Sequence, residues 1–320
     1  MGFLLEAAAN LSLPAVVALW GAGVILVLAG LWVGLAWHFA SRLVRPRMAS
    51  MQKTAATVIE SGEATPELLV RFHETVLITV RDGYRLGGAV LPAERARPAG
   101  TPGAGAAVSG PAGQSGSSPA TRTIILCHGH TWTWHGMLKY LQPFLDGQWN
   151  IVVYNSRGHG GNTSHPPTFG ATEVADLVDV LAWVRRRFPA TLQMGVFGES
   201  MGSAVILQAL GQGLPVDFAI CDCSFSDLAE LAAFQLRRSH VPGFLVPPLL
   251  GLASRFVRRI AGFDLAAIKP ARAAAGLNLP LLVMHGAKDY HATARTSDPV
   301  RYDAVVREFL DGLAAGACPD

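Results

Sequence analysis

Gly198-Glu199-Ser200-Met201-Gly202 has residue types and spacing suited to covalent chemistry. It is preceded by Gln193-Met194-Gly195-Val196-Phe197, short and apolar enough for a buried strand. It is followed by Ser203-Ala204-Val205-Ile206-Leu207-Gln208-Ala209-Leu210, which reads as a helix. A serine between a strand and a helix sits on a sharp turn. Glycines at 198 and 202 permit the strained backbone and close packing that lift its hydroxyl clear of the sheet. Ser200 is therefore the candidate nucleophile, and Gly198 and Gly202 complete the elbow. The five-residue pattern alone also fits a structural turn, because small residues are common in loops. The strand and helix around it favour the nucleophile.

Cleaving an ester or amide through a serine requires a base, an acid that orients the base, and donors for the developing oxyanion. The first donor in such a turn is the backbone N–H after the nucleophile, that of Met201. The second comes from the loop after an early strand. His128-Gly129-His130-Thr131, directly after a strand ending at Cys127, suits that role. The His130 N–H is the expected donor, because Gly129 lets the chain turn there. The His128 side chain reads as a brace for the loop. His130, His135 and His159 are other bases within reach of this region, and each also reads as a hydrogen-bonded structural histidine. Asp222, at the end of the strand after the serine unit, is an alternative acid. Asp227 reads as a helix cap.

The elements that must position these groups alternate regularly. Thr123–Cys127 and Asn150–Tyr154 are expected strands, with a helix expected over Trp134–Leu145 between them. Glu173–Phe188 carries apolar residues at Val174, Leu177, Val178, Leu181, Val184 and Phe188, a helical stripe. Val216–Cys221 and Leu279–Met284 are two further expected strands. Strand–helix alternation with apolar strands implies an α/β fold with a mostly parallel sheet covered on both faces. Ahead of it, Thr75–Val80 and Arg85–Leu91 flank Arg81-Asp82-Gly83-Tyr84, a β-hairpin with an Asp-Gly turn.

Composition bounds the rest. The chain has 320 residues, 50% of them hydrophobic and 15% charged, enough for one sizeable α/β domain plus additions. The net charge is +3, with basic residues scattered along the sequence, so nucleic acid is not an expected partner. Cys127, Cys221, Cys223 and Cys318 lack paired metal-ligand spacing, so neither a metal site nor a disulfide framework is expected. No cofactor is expected either.

From Ala7 to Ser41 there is no Asp, Glu, Lys or Arg. The apolar run Leu13–Phe39 exceeds the roughly 20 residues that cross a bilayer. Arg42, Arg45, Arg47 and Lys53 follow it, while Glu6 is the charged residue before it. The positive-inside rule then places the following domain in the cytoplasm, with an extracytoplasmic orientation as the alternative. The organisation read from the chain is a transmembrane anchor (1–47), a juxtamembrane segment with the hairpin (48–92), and a flexible Gly/Pro/Ser-rich insertion (93–121). A hydrolase-type core (122–226), a lid (227–276) and the end of the core (277–320) follow. The lid segment interleaves Phe234, Leu236, Phe244 and Leu245 with Arg237, Arg238, Arg255, Arg258 and Arg259. It reads as a helical cover over the serine, as a segment resting on a membrane surface, or as ordinary outer helices.

Taken in order, His128-Gly129-His130-Thr131, Asn155-Ser156-Arg157-Gly158-His159-Gly160-Gly161, Thr168-Phe169-Gly170, Phe197–Gly202, Cys221-Asp222-Cys223-Ser224-Phe225-Ser226-Asp227 and His285-Gly286-Ala287-Lys288-Asp289 resemble the α/β-hydrolase superfamily. More narrowly they resemble the membrane-anchored bacterial serine hydrolases of the Bem46-like group. The resemblance runs from about the hairpin to Asp289. Asn155 departs from it, since relatives usually carry Asp before Arg-Gly-His-Gly. It implies Ser200 as nucleophile and Asp289 as the acid. In relatives the catalytic histidine lies one further strand and helix on, a unit on the order of 30 residues. Here Tyr290-His291-Ala292 comes at once, and Ser297–Leu310 resembles the helix that comes after the histidine. His291 therefore matches the catalytic position by the helix behind it, with the last helix–strand unit missing.

Two functions are expected from these readings. One is a membrane-anchored serine hydrolase acting on a small-molecule or lipid-like acyl substrate through an acyl-enzyme. The other is a catalytically impaired scaffold of the same fold that binds an acyl ligand or a partner. The missing helix–strand unit, which in relatives returns the chain to the top of the sheet and brings acid and base together, motivates the second. Neither reading specifies an oligomeric state.

Overall fold

The computed structural model describes residues 12–93, 121–161, 165–286 and 294–315. These divide into two compact units, residues 1–44 with 232–264 and residues 45–231 with 265–320.

The first unit is built on α1 (Leu13–Val44), 32 residues long and free of acidic residues. It is long and apolar enough to cross a membrane. The unit's second long helix is α8 (Val246–Ala261). It opens with prolines in its first turn and stops at Gly262, whose φ of 75° is the left-handed conformation that glycine adopts without penalty.

The second unit is a seven-stranded sheet. Its strands are β1 (Glu74–Thr79), β2 (Arg85–Leu91), β3 (Arg122–Cys127), β4 (Asn150–Tyr154), β5 (Gln193–Glu199), β6 (Phe218–Asp222) and β7 (Leu281–Met284). They lie in the order β1-β2-β4-β3-β5-β6-β7. β1–β2 and β2–β4 are antiparallel, and the other pairs are parallel. Successive residues of each strand feed opposite faces. Ile124, Leu126, Ile151, Val153, Phe197, Phe218 and Ile220 pack on one side with Tyr140, Phe144 and Trp149, together with Tyr302, Val306 and Phe309 of α11 (Pro299–Ala314). Ile125, Val152, Val196, Ala219 and Cys221 pack on the other with α5 (Glu173–Arg187) and α6 (Met201–Gly211). The shorter helices are α2 (Met51–Glu60), α3 (Pro66–Arg71), α4 (Gln142–Asp146), α7 (Leu228–Arg238), α9 (Pro270–Ala273) and α10 (Ala294–Ser297).

Three local readings shift. The single helix expected over Trp134–Leu145 is a 3-10 segment, Trp134–Tyr140, followed by α4. Pro143 has no N–H to continue a helical ladder and sits instead in the first turn of a new helix. β7 begins at Leu281 because Pro280, likewise without an N–H, contributes only its carbonyl, which accepts from Ala219. β6 begins at Phe218, after Val216 turns back onto the Leu214 carbonyl. Nearly all of the Gly/Pro/Ser-rich insertion lies outside the described residues.

Candidate active site

The parallel register brings three strand ends together. Cys127 pairs with Gly198 and Glu199 with Asp222, so β3, β5 and β6 finish side by side. In an open α/β sheet this carboxyl edge is where ligands bind.

Ser200 sits at that edge, between β5 and α6, with φ 50° and ψ −108°. A non-glycine residue at positive φ is strained and persists only when its surroundings hold it. Four contacts hold it here. The Ser200 N–H donates to the Asp222 carbonyl at 2.9 Å, and the Ser200 carbonyl accepts from Ala204 at 3.0 Å. The Ser203 hydroxyl lies 2.6 Å from the Gly198 carbonyl and 2.9 Å from the Asp222 carbonyl, bracing both strands from the first turn of α6. Side chains at 198 or 202 would collide with backbone, that of Gly202–Ser203 and that of Cys127 respectively. Both glycines are thus steric requirements of the turn. The sequence does not mark Ser203. A serine one residue past a Gly-x-Ser-x-Gly pattern reads there as a plain helix residue.

Met201 opens α6 and is fully buried. The loop after β3 lies opposite it and is fixed by two histidines. His128 Nδ1 donates to the Gly129 carbonyl at 2.8 Å, and its Nε2 accepts the Ser156 N–H at 3.0 Å. His159 Nδ1 donates to the Arg157 carbonyl at 2.8 Å, and its Nε2 accepts the Thr131 N–H at 3.1 Å. Each ring must be neutral and protonated on Nδ1 to make both bonds. Burial enforces this: it pushes His128 down to about 3 and also lowers His159. Thr131 is left at φ 68° by this arrangement. His130 lies between them in sequence, its ring 4.7 Å from that of Phe169 and 5.7 Å from that of His159.

The Arg-Gly-His-Gly loop is locked from the other side. Arg157 makes two 2.7 Å bonds to Asp176 and a 2.8 Å contact with Asp82 of the hairpin turn. The Arg157 contact holds the Asp82 carboxyl down at about 2. Asn155 Oδ1 accepts the Trp134 N–H at 2.9 Å. This needs only an acceptor, so Asn serves where Asp was expected.

Asp222 is fully buried beneath the elbow. Its Oδ2 accepts the Tyr140 hydroxyl at 2.9 Å, and the Tyr140 ring lies 5.7 Å from that of Tyr302 on α11. Burial pushes the Tyr140 phenol well up, with the nearby Glu199 and Asp222 carboxylates acting in the same direction. Beside it, Lys139 and Glu199 form a largely buried ion pair at 3.0 Å, with Lys139 also over the Trp132 ring. Burial raises the Glu199 carboxyl, and Lys139 opposes the rise.

The structure thus brings Ser200, Met201, Asp222 and the His128–Thr131 loop to one edge of the sheet. Asp289 and His291 lie outside the described residues. His135 is committed elsewhere, its Nδ1 donating to the Met51 carbonyl at 2.8 Å. Asp227 accepts from Ala229 and Glu230 at the start of α7, the capping role expected of it.

A model of the α/β hydrolase fold matches residues 122–241. The chain is 28% identical over 221 residues to the uncharacterized protein YqkD of Bacillus subtilis, covering 60% of this chain and 72% of that one. It is 25% identical to the uncharacterized protein YfhR of Escherichia coli K12, covering 68% of this chain and 63% of YfhR, just under two thirds of its length. Among solved structures, the esterase PF2001 of Pyrococcus furiosus superposes with a TM-score of 0.54 at 17% identity, covering 77% of this chain and 93% of that one.

Proposed function

We infer from this chain's membership of the α/β-hydrolase superfamily that it is a serine hydrolase, cleaving an ester, thioester or amide through an acyl-enzyme. Kinship with the Bem46-like group, read from the order of its motifs, is part of the same proposal. The observation that carries the reading is the geometry of Ser200. A braced positive-φ serine at the carboxyl edge of the parallel strands has the strained backbone of a strand-to-helix turn that exposes a nucleophile.

In this reading Ser200 Oγ attacks the carbonyl carbon. His291 accepts the hydroxyl proton and passes it to the leaving group, and Asp289 orients the imidazole. The backbone N–H groups of Met201 and His130 receive the oxyanion. Water then attacks the acyl-enzyme, with His291 again taking the proton. His128 and His159 serve by holding the loop that carries the His130 N–H.

α1 anchors the chain in a bilayer in this proposal, with the catalytic unit on the cytoplasmic side by the positive-inside rule. An anchored enzyme meets acyl groups concentrated in the bilayer, which favours a lipid-like acyl substrate.

The impaired-scaffold reading has one observation in its favour. β7 is the edge strand among the described residues, and α11 already packs on the core from Tyr302 onward. Little chain is left between them to return a histidine to the elbow. Hydrolysis of p-nitrophenyl esters of graded chain length decides between the two. Turnover by the wild type that is lost in Ser200→Ala supports the hydrolase. Equal turnover by both proteins contradicts it.

A further inference from the structure

The compact unit that contains α1 carries a charge the rest of the chain lacks. It holds six arginines, Arg42, Arg237, Arg238, Arg255, Arg258 and Arg259, against two acidic residues, Glu6 and Asp264. The remaining residues hold twenty basic and twenty-one acidic groups. The positive excess of the whole chain is therefore concentrated in the unit with the membrane-length helix.

Within that unit the arginines have a defined level. Along α1 the side chains from Leu13 to Leu35 are mostly exposed, and burial begins at Ala36 and recurs at Ala40 and Val44. The exposed stretch measures ~34 Å at 1.5 Å per residue, close to the ~30 Å of bilayer hydrocarbon. The buried ridge is covered by α8, whose own buried stripe is Val246, Leu249, Ala253 and Val257. The Trp37 and Phe256 rings meet edge-on at 5.2 Å. Phe256 thus lies beside α1 two residues past the end of that exposed stretch. The last turn of α8 then reaches the level where the exposed apolar stretch of α1 ends. That turn carries Arg258 and Arg259, with Arg255 one turn before, all on the exposed side of the helix. Arg258 is paired with Asp264 at 2.9 Å, the one acidic residue among the unit's described residues. Arginine at such a boundary keeps its stem on apolar surface and its guanidinium among headgroups, where it forms forked bonds to phosphate.

We propose that the Arg255–Arg259 turn of α8, held at the end of the exposed part of α1, binds the phosphate headgroups of an anionic bilayer leaflet. The proposal rests on the reading of α1 as a membrane span and is independent of the hydrolase reading. It assigns the α1–α8 pair a second role besides anchoring, that of an interfacial platform whose affinity depends on lipid charge.

The test uses the full chain reconstituted in mixed phosphatidylcholine/phosphatidylglycerol bilayers. Spin-labelled phosphatidylglycerol and phosphatidylcholine are compared for the fraction immobilised by the protein. The wild type should favour phosphatidylglycerol by roughly threefold or more, and the preference should fade in high salt. It should drop to near parity in Arg255→Gln/Arg258→Gln/Arg259→Gln and persist in Arg186→Gln/Arg187→Gln on α5. No preference in the wild type, as expected if this face meets a protein or water, overturns the proposal. So does a preference that survives the triple substitution. No immobilised lipid of either kind overturns the span itself, a distinct failure. A single-site check needs no triple variant. A nitroxide at Arg259→Cys, in a Cys318→Ser background, should sit at headgroup depth. Water-like accessibility equal to that of a nitroxide at Arg186→Cys would contradict the placement.

Discussion

The Ser200 N–H donates to the Asp222 carbonyl at 2.9 Å, and the Ser203 hydroxyl reaches the same carbonyl from the next helical turn. One acceptor at the end of β6 thereby fixes both the strained residue and the helix that follows it. Replacing Ser203 by Ala removes the second donor and loosens the hold on the Gly198 carbonyl. Ser203→Ala should cost about 1–3 kcal/mol of unfolding free energy, measured by denaturant titration. A change below a few tenths would mean that the brace contributes little.

The positive φ of Ser200 has its own consequence. Backbone strain of this kind costs of order 1–3 kcal/mol, while glycine carries an entropic cost of about 0.5–1 kcal/mol. Ser200→Gly should therefore raise stability by about 1 kcal/mol while removing the proposed nucleophile. A destabilised Ser200→Gly protein would show that the turn is not strained.

The two loop histidines predict a pH dependence. Burial depresses His128 to about 3 and lowers His159, so the unfolded chain binds more protons than the folded one below the ordinary histidine value near 6.5. Their contribution to stability is complete above that value and is lost as pH falls towards the folded values. The slope approaches ~1.4 kcal/mol per pH unit for His128, and His159 adds to it in the same direction. Unfolding free energies at pH 7 and pH 4.5 should differ accordingly, and His159→Asn should shrink the difference. A flat profile would contradict the neutral, double-bonded tautomers.

Lys139 and Glu199 form a pair whose removal should be non-additive. Lys139→Met leaves a carboxylate largely buried beside the elbow, at a cost of about 3 kcal/mol. Lys139→Met/Glu199→Gln should recover most of that loss, because no charge is then left without its partner. A double-mutant cycle in thermal unfolding measures the coupling, and strict additivity would mean that the two charges do not sense each other.

Much of this architecture was legible in the chain. The apolar strands and the stripe on α5 carry their periods openly, and the glycines at 198 and 202 mark the elbow, because local sterics decide those features. The bracing of the site was not legible. Whether Ser203 faces a carbonyl, whether His128 accepts from Ser156, and that Tyr140 caps Asp222 all depend on strand register and on segments far apart in sequence. The packing of α8 on α1 was hidden for the same reason: the arginine–apolar pattern of residues 246–261 fits a cover, an outer helix or an interfacial helix equally well. Proline placement explains the broken helix after Thr133 and the late start of β7, both visible locally once the missing N–H groups are counted.

We propose Ser200 as an activated nucleophile. Fluorophosphonate labelling of the full chain in detergent, with the adduct located by peptide mass mapping, tests it most directly. One adduct is expected, on Ser200, absent in Ser200→Ala and strongly slowed in His291→Ala. A folded wild-type protein that takes no label, or takes it on another residue, would contradict it.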